Sequence, residues 1–138
     1  MLKRITDFLE IHNSSFHLLS LVAISFFFIN VGFDHFINPN FYLRIMPDYL
    51  PLHAEAVYLS GFFEILGGIC VLHPRLRWMA GQGLILLLIA VFPANIHMAI
   101  NPQQFSEIPL ALLYFRLVLQ FIFILWVFKT TKPLHAIN

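Results

Sequence analysis

The chain is poor in cysteine and poor in charge. One cysteine, Cys70, among 138 residues leaves no internal disulfide, no Cys-x-x-Cys redox pair and no thiolate metal cage. Eight basic and seven acidic side chains make up 11% of the sequence, less than half of the ~25% that a soluble domain carries. So few charges do not coat a water-soluble globule, which excludes a soluble enzyme, a nucleic-acid binder and a disordered tail. Internal repeats, low-complexity tracts, phosphate loops and nucleophile elbows are missing too. The net charge of +1 decides little, because the placement of the charges matters more than their sum.

What the chain does have is apolar residues: 59% of the total, with 16 phenylalanines. Four membrane spans need roughly 80 apolar-dominated positions, about what this composition supplies. Four stretches stand out: Phe16–Ile37, Ala56–Leu72, Trp78–Ile100 and Leu110–Phe128. Each is near the length that crosses about 30 Å of hydrocarbon. Lipid offers no partners for open backbone groups, so they are expected to be helices. The reading is an all-α, single-domain four-transmembrane-helix bundle. The first stretch is too long for a signal-peptide core and no small-x-small cleavage site follows, so it is expected to be retained.

The basic residues orient this bundle. Lys3, Arg4, Arg75, Arg77, Lys129 and Lys132 fall on one side, Arg44 on the other, and Arg116 inside the fourth stretch. The positive-inside rule then places both termini and the His73–Arg77 turn in the cytoplasm. On the outer side Asn38-Pro39 reads as an N-cap and first-turn proline. Phe41, Tyr42, Ile45, Met46 and Tyr49 follow at helical spacing, which predicts a short amphipathic interfacial helix ending at Pro51 or before. His12, His17, His53, His73 and His135 are expected at interfaces, and Tyr42, Tyr49, Trp78 and Trp126 in aromatic belts.

Every stretch carries polar groups, which are costly in hydrocarbon and rarely occur without a use. They are Asn30, Asp34 and His35; Glu64; Asn95 and His97; and Arg116 and Gln120. Counted from the outer loops, Asp34 and His35 lie about 6–8 Å deep, Glu64 about 13 Å, Asn95 and His97 about 6–10 Å, and Arg116 about 10 Å. Four segments agree on one level in the outer half, while the inner halves are almost purely Leu, Ile, Val and Phe. Asn30 and Asp34 share a face, as do Arg116 and Gln120, and Ser60, Glu64 and Gly67 or Gly68. Asn95 and His97 stand about 200° apart, so both do not point into one pocket. Pro93 strips the carbonyl of Ile89 of its usual partner and predicts a kink. Arg116 against Asp34 and Glu64 leaves one negative charge to be balanced by a protonated His35 or His97, a proton on Glu64, or a bound cation. An Asp34–Arg116 pair and Glu64 as the titrating group are the expected arrangement.

The stretches GFDHFINPNFYLRIMPDYLP from Gly32, SGFFEILGG from Ser60 and FPANIHMAINP from Phe92 resemble the DoxX-like family, small bacterial four-helix membrane proteins. The resemblance covers nearly the whole chain. It implies a bacterial cell-membrane location and an association with quinone or redox systems.

Three functions compete. A quinone- or lipophile-binding, redox-associated accessory subunit fits apolar walls with a few convergent polar groups. In that reading Asn30, Asn95, His97, Arg116 and Gln120 bind the ligand. A membrane-embedded enzyme would use Glu64 for proton transfer, with Asp34 and His35 relaying and Arg116 steadying negative charge. Ion or proton movement is disfavoured by the apolar inner halves. The bland alternative is a structural subunit in which these groups are interhelical glue. Metal held by Asp34, His35, Glu64 and His97, or haem on His35 and His97, is disfavoured. The expected partners are membrane lipid, a hydrophobic small molecule or a membrane redox protein, not nucleic acid. Aromatic faces on the first and fourth stretches leave homodimerisation open.

Overall fold

The computed structural model describes residues 15–133. The expectations for Lys3, Arg4, His12 and His135 lie outside the described residues. Five helices follow one another: α1 (Ser15–Ile37), α2 (Pro39–Ile45), α3 (His53–Cys70), α4 (Arg77–Ile100) and α5 (Leu110–Thr131), with a 3₁₀ turn at Pro102–Phe105. No strand occurs among the described residues. The four long helices begin and end within a few residues of the four apolar stretches. Of these, α1, α4 and α5 are long and apolar enough to cross a membrane, at about 33–36 Å each, as in a multi-pass membrane protein. α3 is less apolar because it includes His53, Glu55 and Glu64.

Turn chemistry sets the boundaries. Pro39 opens α2 at its first turn and Pro109 precedes α5, positions where a missing N–H costs nothing. Asn38 stands at the α2 N-cap but makes no capping bond; its amide donates to Asp34 Oδ1 instead. Leu52, before α3, takes a left-handed conformation with φ 55°, rare for a branched residue. Arg77 donates from Nε to the Val71 carbonyl at 3.1 Å, so it satisfies carbonyls at the end of α3 as well as marking topology.

Small residues decide which helices touch. Gly32 of α1 and Gly61 of α3 meet backbone to backbone: a Cβ on Gly32 would stand 2.7 Å from the Gly61 carbonyl oxygen, and one on Gly61 2.8 Å from that of Gly32. Gly68 repeats the approach against Ser25 and Ile29 two turns along. α1 therefore lies along α3, as small-residue faces do in membrane bundles, while α4 lies along α5. The two pairs meet less closely. Near the Arg77 end they are joined by a core of Ile24, Phe28, Val71, Leu84, Leu88 and Val127. Near the Pro39 end it is α2 that joins the α4–α5 pair, through Ile45, Ala94, Met98, Phe105 and Leu113. The outward faces are apolar and open, with Phe16, Phe26 and Leu86 each at least 66% exposed, the inverse of a soluble protein's surface.

Candidate functional site

Between the two helix pairs lies a cavity of about 620 Å³, within the size range of small-molecule sites. Phe28 and Leu88 of one core line it, as do Ile45 and Ala94 of the other. Each long helix contributes an inward stripe at i, i+3, i+7 spacing. On α1 these are Phe28, Val31 and His35; on α3, Val57, Ser60 and Glu64. α4 adds Leu88, Val91 and Asn95, and α5 adds Arg116, Leu119 and Phe123, with Gln120 beside them. The roof is α2 and the segment after it, through Tyr42, Ile45, Met46 and Leu50.

Five of the eight sequence-derived candidates thus share one chamber: His35, Glu64, Asn95, Arg116 and Gln120. Their bonding is uneven. Asn95 Nδ2 donates to Gln120 Oε1 at 2.5 Å, and Arg116 donates to Asn95 Oδ1 at 3.1 Å. Gln120 also donates to the Leu88 carbonyl, one residue before the carbonyl that Pro93 deprives of its donor; α4 nonetheless continues as helix through Pro93. His35 Nδ1 lies 3.2 Å from Glu64 Oε2, with both side chains buried. That nitrogen also stands 2.9 Å from the Val31 carbonyl, and a ring N–H points at only one acceptor. The Val31 bond has the better alignment, so Glu64 Oε2, though within ion-pair distance, receives no hydrogen bond. Arg116 Nε is likewise buried without an acceptor. Two residues that line the chamber, on different walls, thus each carry a buried polar atom whose hydrogen bond is unmade.

The other three candidates point elsewhere. Asp34 accepts from the Tyr42 hydroxyl at 2.7 Å and from Asn38, and does not meet Arg116. The expected Asp34–Arg116 pair is corrected on this ground. His35, one residue on, takes the inward position, and a helix turns about 100° per residue. Asn30, on Asp34's face, is exposed and bonds back to the Phe26 carbonyl at 2.7 Å. His97 sits against Phe105 and Asn101, while Asn95 alone of the two lines the chamber. Among the described residues no cluster of three or more His, Cys, Asp or Glu stands together.

Two residues read as belt aromatics also make specific contacts. Tyr42 stacks on His35, ring centroids 3.7 Å apart. Burial, then its bond to Asp34, raises the Tyr42 hydroxyl above the ordinary tyrosine range, so it remains a donor. Trp126 donates to Ser20 Oγ at 2.7 Å, and Ser20 bonds Thr130 at 2.9 Å. The signal for Tyr42 was present: the apolar stripe of α2 required a surface to cover, and the polar layer lay directly beneath it.

A family model for a domain of unknown function, DUF8561, matches residues 24–131. The chain belongs to this family. The matched span contains α2 to α5, most of α1 and every residue that lines the chamber, so the site is part of the DUF8561 domain itself. No curated protein and no solved structure matches the chain.

Proposed function

We propose that this DUF8561 chain binds a lipophilic small molecule, such as a quinone, within the bilayer, as a DoxX-like accessory subunit of a membrane redox system. In this reading α3 is the fourth span, α2 lies along the outer interface, and both termini face the cytoplasm of a bacterial inner membrane. The single observation that carries it is the chamber: apolar walls, a volume of about 620 Å³, and an unpartnered Glu64 Oε2 and Arg116 Nε. A buried carboxylate oxygen without a donor loses about 1–3 kcal/mol or more, and a ligand hydrogen-bonding there recovers it. The residues matching the DoxX-like stretches, Gly32–Pro51, Ser60–Gly68 and Phe92–Pro102, include the roof and parts of three walls of the chamber. The test is mass spectrometry and an absorption spectrum of mildly solubilised protein. A stoichiometric lipophile above the bulk-lipid background is the expected result; finding neither such a lipophile nor any copurifying partner overturns the reading.

One observation favours a second reading, acid/base chemistry on a hydrophobic substrate: His35 and Glu64 lie 3.2 Å apart in a buried chamber, within reach of proton transfer. Turnover of a candidate substrate that Glu64→Gln abolishes without loss of thermal stability would select it over binding alone.

A further inference from the structure

A second cleft, of about 510 Å³, runs between α3 and α4 toward the Arg77 end. Phe63, Leu87 and Ala90 line both it and the chamber, so the two adjoin along these side chains. Its floor is where Leu84 packs on Gly67, which has no side chain to hold the helices apart. From Ala90 to Met79 it extends about 16 Å along α4, and its lining, including Cys70, Met79 and Leu86, carries no ionisable group apart from the thiol. It opens sideways, with Met79 and Leu86 both 66% exposed. The chamber above it holds one formal negative and one formal positive side chain, Glu64 and Arg116, because Asp34 is turned to Tyr42 and Asn38.

We infer that the ligand is a neutral, single-tailed amphiphile drawn from the bilayer, its hydroxyl-bearing head between Glu64 and Arg116 and its alkyl tail in the α3–α4 cleft. This rests on the lipophile-binding reading and narrows it to a chemical class. The head hydroxyl donates to the Glu64 carboxyl and an acceptor on the same head receives from the Arg116 guanidinium; both side chains line the chamber, and each carries a buried atom without a hydrogen-bond partner. An anionic head would place a second negative charge beside Glu64 in a low-dielectric space, which is strongly disfavoured. A two-tailed lipid exceeds one cleft.

Gly83 offers a clean probe of the tail. It lines the cleft, and a Cβ built there meets nothing within 4 Å, so the side chain of Gly83→Leu starts from open space. It blocks the last ~6 Å of the cleft; excluding two methylenes alone weakens binding about tenfold. The experiment measures binding of 1-monoacylglycerols of increasing chain length, of oleate, and of oleoyl lysophosphatidylglycerol to delipidated full-length protein in detergent. The expected result is a monoacylglycerol preference of at least about tenfold over both anions. Gly83→Leu should shift the preferred chain to shorter lengths and leave short-chain affinity unchanged. Glu64→Gln, which leaves Arg116 as the only formal charge of the pair, should move the preference toward oleate. Equal binding of the anions to the unaltered protein, or an unmoved chain-length profile in Gly83→Leu, overturns the inference. If a different lipophile copurifies and no monoacylglycerol binds, the amphiphile class falls and the broader reading stands; if nothing binds, both fall.

Discussion

At the Arg77 end of the bundle, Ser20, Thr130 and Trp126 satisfy one another's hydrogen bonds between α1 and α5. At the Pro39 end, Asn95 and Gln120 do the same between α4 and α5, but beside them Glu64 Oε2 and Arg116 Nε are left open. The far-end groups are neutral and tightly apposed; the open pair is ionisable and belongs to residues that line a chamber. Polar contacts that close on themselves hold helices together. Polar atoms that do not close, around a space large enough for a ligand, are suited to one. Gln82 Nε2 sharpens the distinction: it is buried and unpartnered but lines neither cavity, so an orphaned atom alone does not make a site.

The largest expected effect comes from disturbing the contact that rotates α1 into place. Gly61→Val would put a methyl-bearing Cβ 2.7 Å from the His35 Cβ and 2.8 Å from the Gly32 carbonyl oxygen, neither the yielding end of a flexible chain. Overpacking of this kind costs about 2–3 kcal/mol, read as a lowered thermal midpoint in detergent. Ligand binding should fall with it, because His35 and Glu64 lose their register. Retained binding at reduced stability would show that the chamber does not depend on the α1–α3 crossing.

This contact also explains what the sequence could and could not reveal. Helix limits and the shared level of His35, Glu64, Asn95, Arg116 and Gln120 were legible, because apolar length and counted depth fix them. Which of the neighbours Asp34 and His35 faces inward was not. That depends on the rotation of α1, set by a Gly32–Gly61 approach that periodicity alone does not identify. The far-end cluster was missed because Ser20 and Thr130 are cheap in an apolar helix and carry no charge to attract notice. The apolar stripe of α2 signalled that it covers something, but that Tyr42 stacks on His35 depends on the return of α2 over the chamber, a tertiary fact.

A smaller effect separates glue from site. Ser20→Ala removes a closed bond and should lower stability by about 0.6–1.7 kcal/mol, with ligand affinity unchanged. Trp126→Phe, which removes the N–H that meets Ser20, should do the same. If either variant alters ligand binding, the two layers are coupled and the contrast between them fails.

Smaller again in stability is Glu64→Gln. Its Oε2 makes no hydrogen bond, so the amide should change the thermal midpoint by less than Ser20→Ala does, within about 0.5 kcal/mol, while ligand preference changes. A loss of stability larger than that of Ser20→Ala would mean that the His35–Glu64 approach is structural glue after all.

The smallest effect tests the roof. Arg44 of α2 pairs with Glu107 and lies over the Phe105 ring, 5.2 Å from its centroid. Glu107's own backbone N–H and then the Arg44 guanidinium hold its carboxyl below the usual glutamate range. A lowered folded-state pKa means that the pair's contribution is complete above the unfolded value, about 4.3, and fades as pH falls through the folded value. Both side chains are about half exposed, so salt weakens the pair as well. The Phe105 contact does not involve the carboxylate and persists at low pH. Amide exchange over residues 39–52, corrected for intrinsic rates, should therefore rise modestly below about pH 4 and with added salt at neutral pH. The turn at 71–77, held by Arg77 on backbone carbonyls, has no carboxylate to lose and should not loosen as pH falls through the carboxylate range. Equal loosening at both ends would mean that acid relaxes the bundle as a whole, and the roof would then have no separate latch.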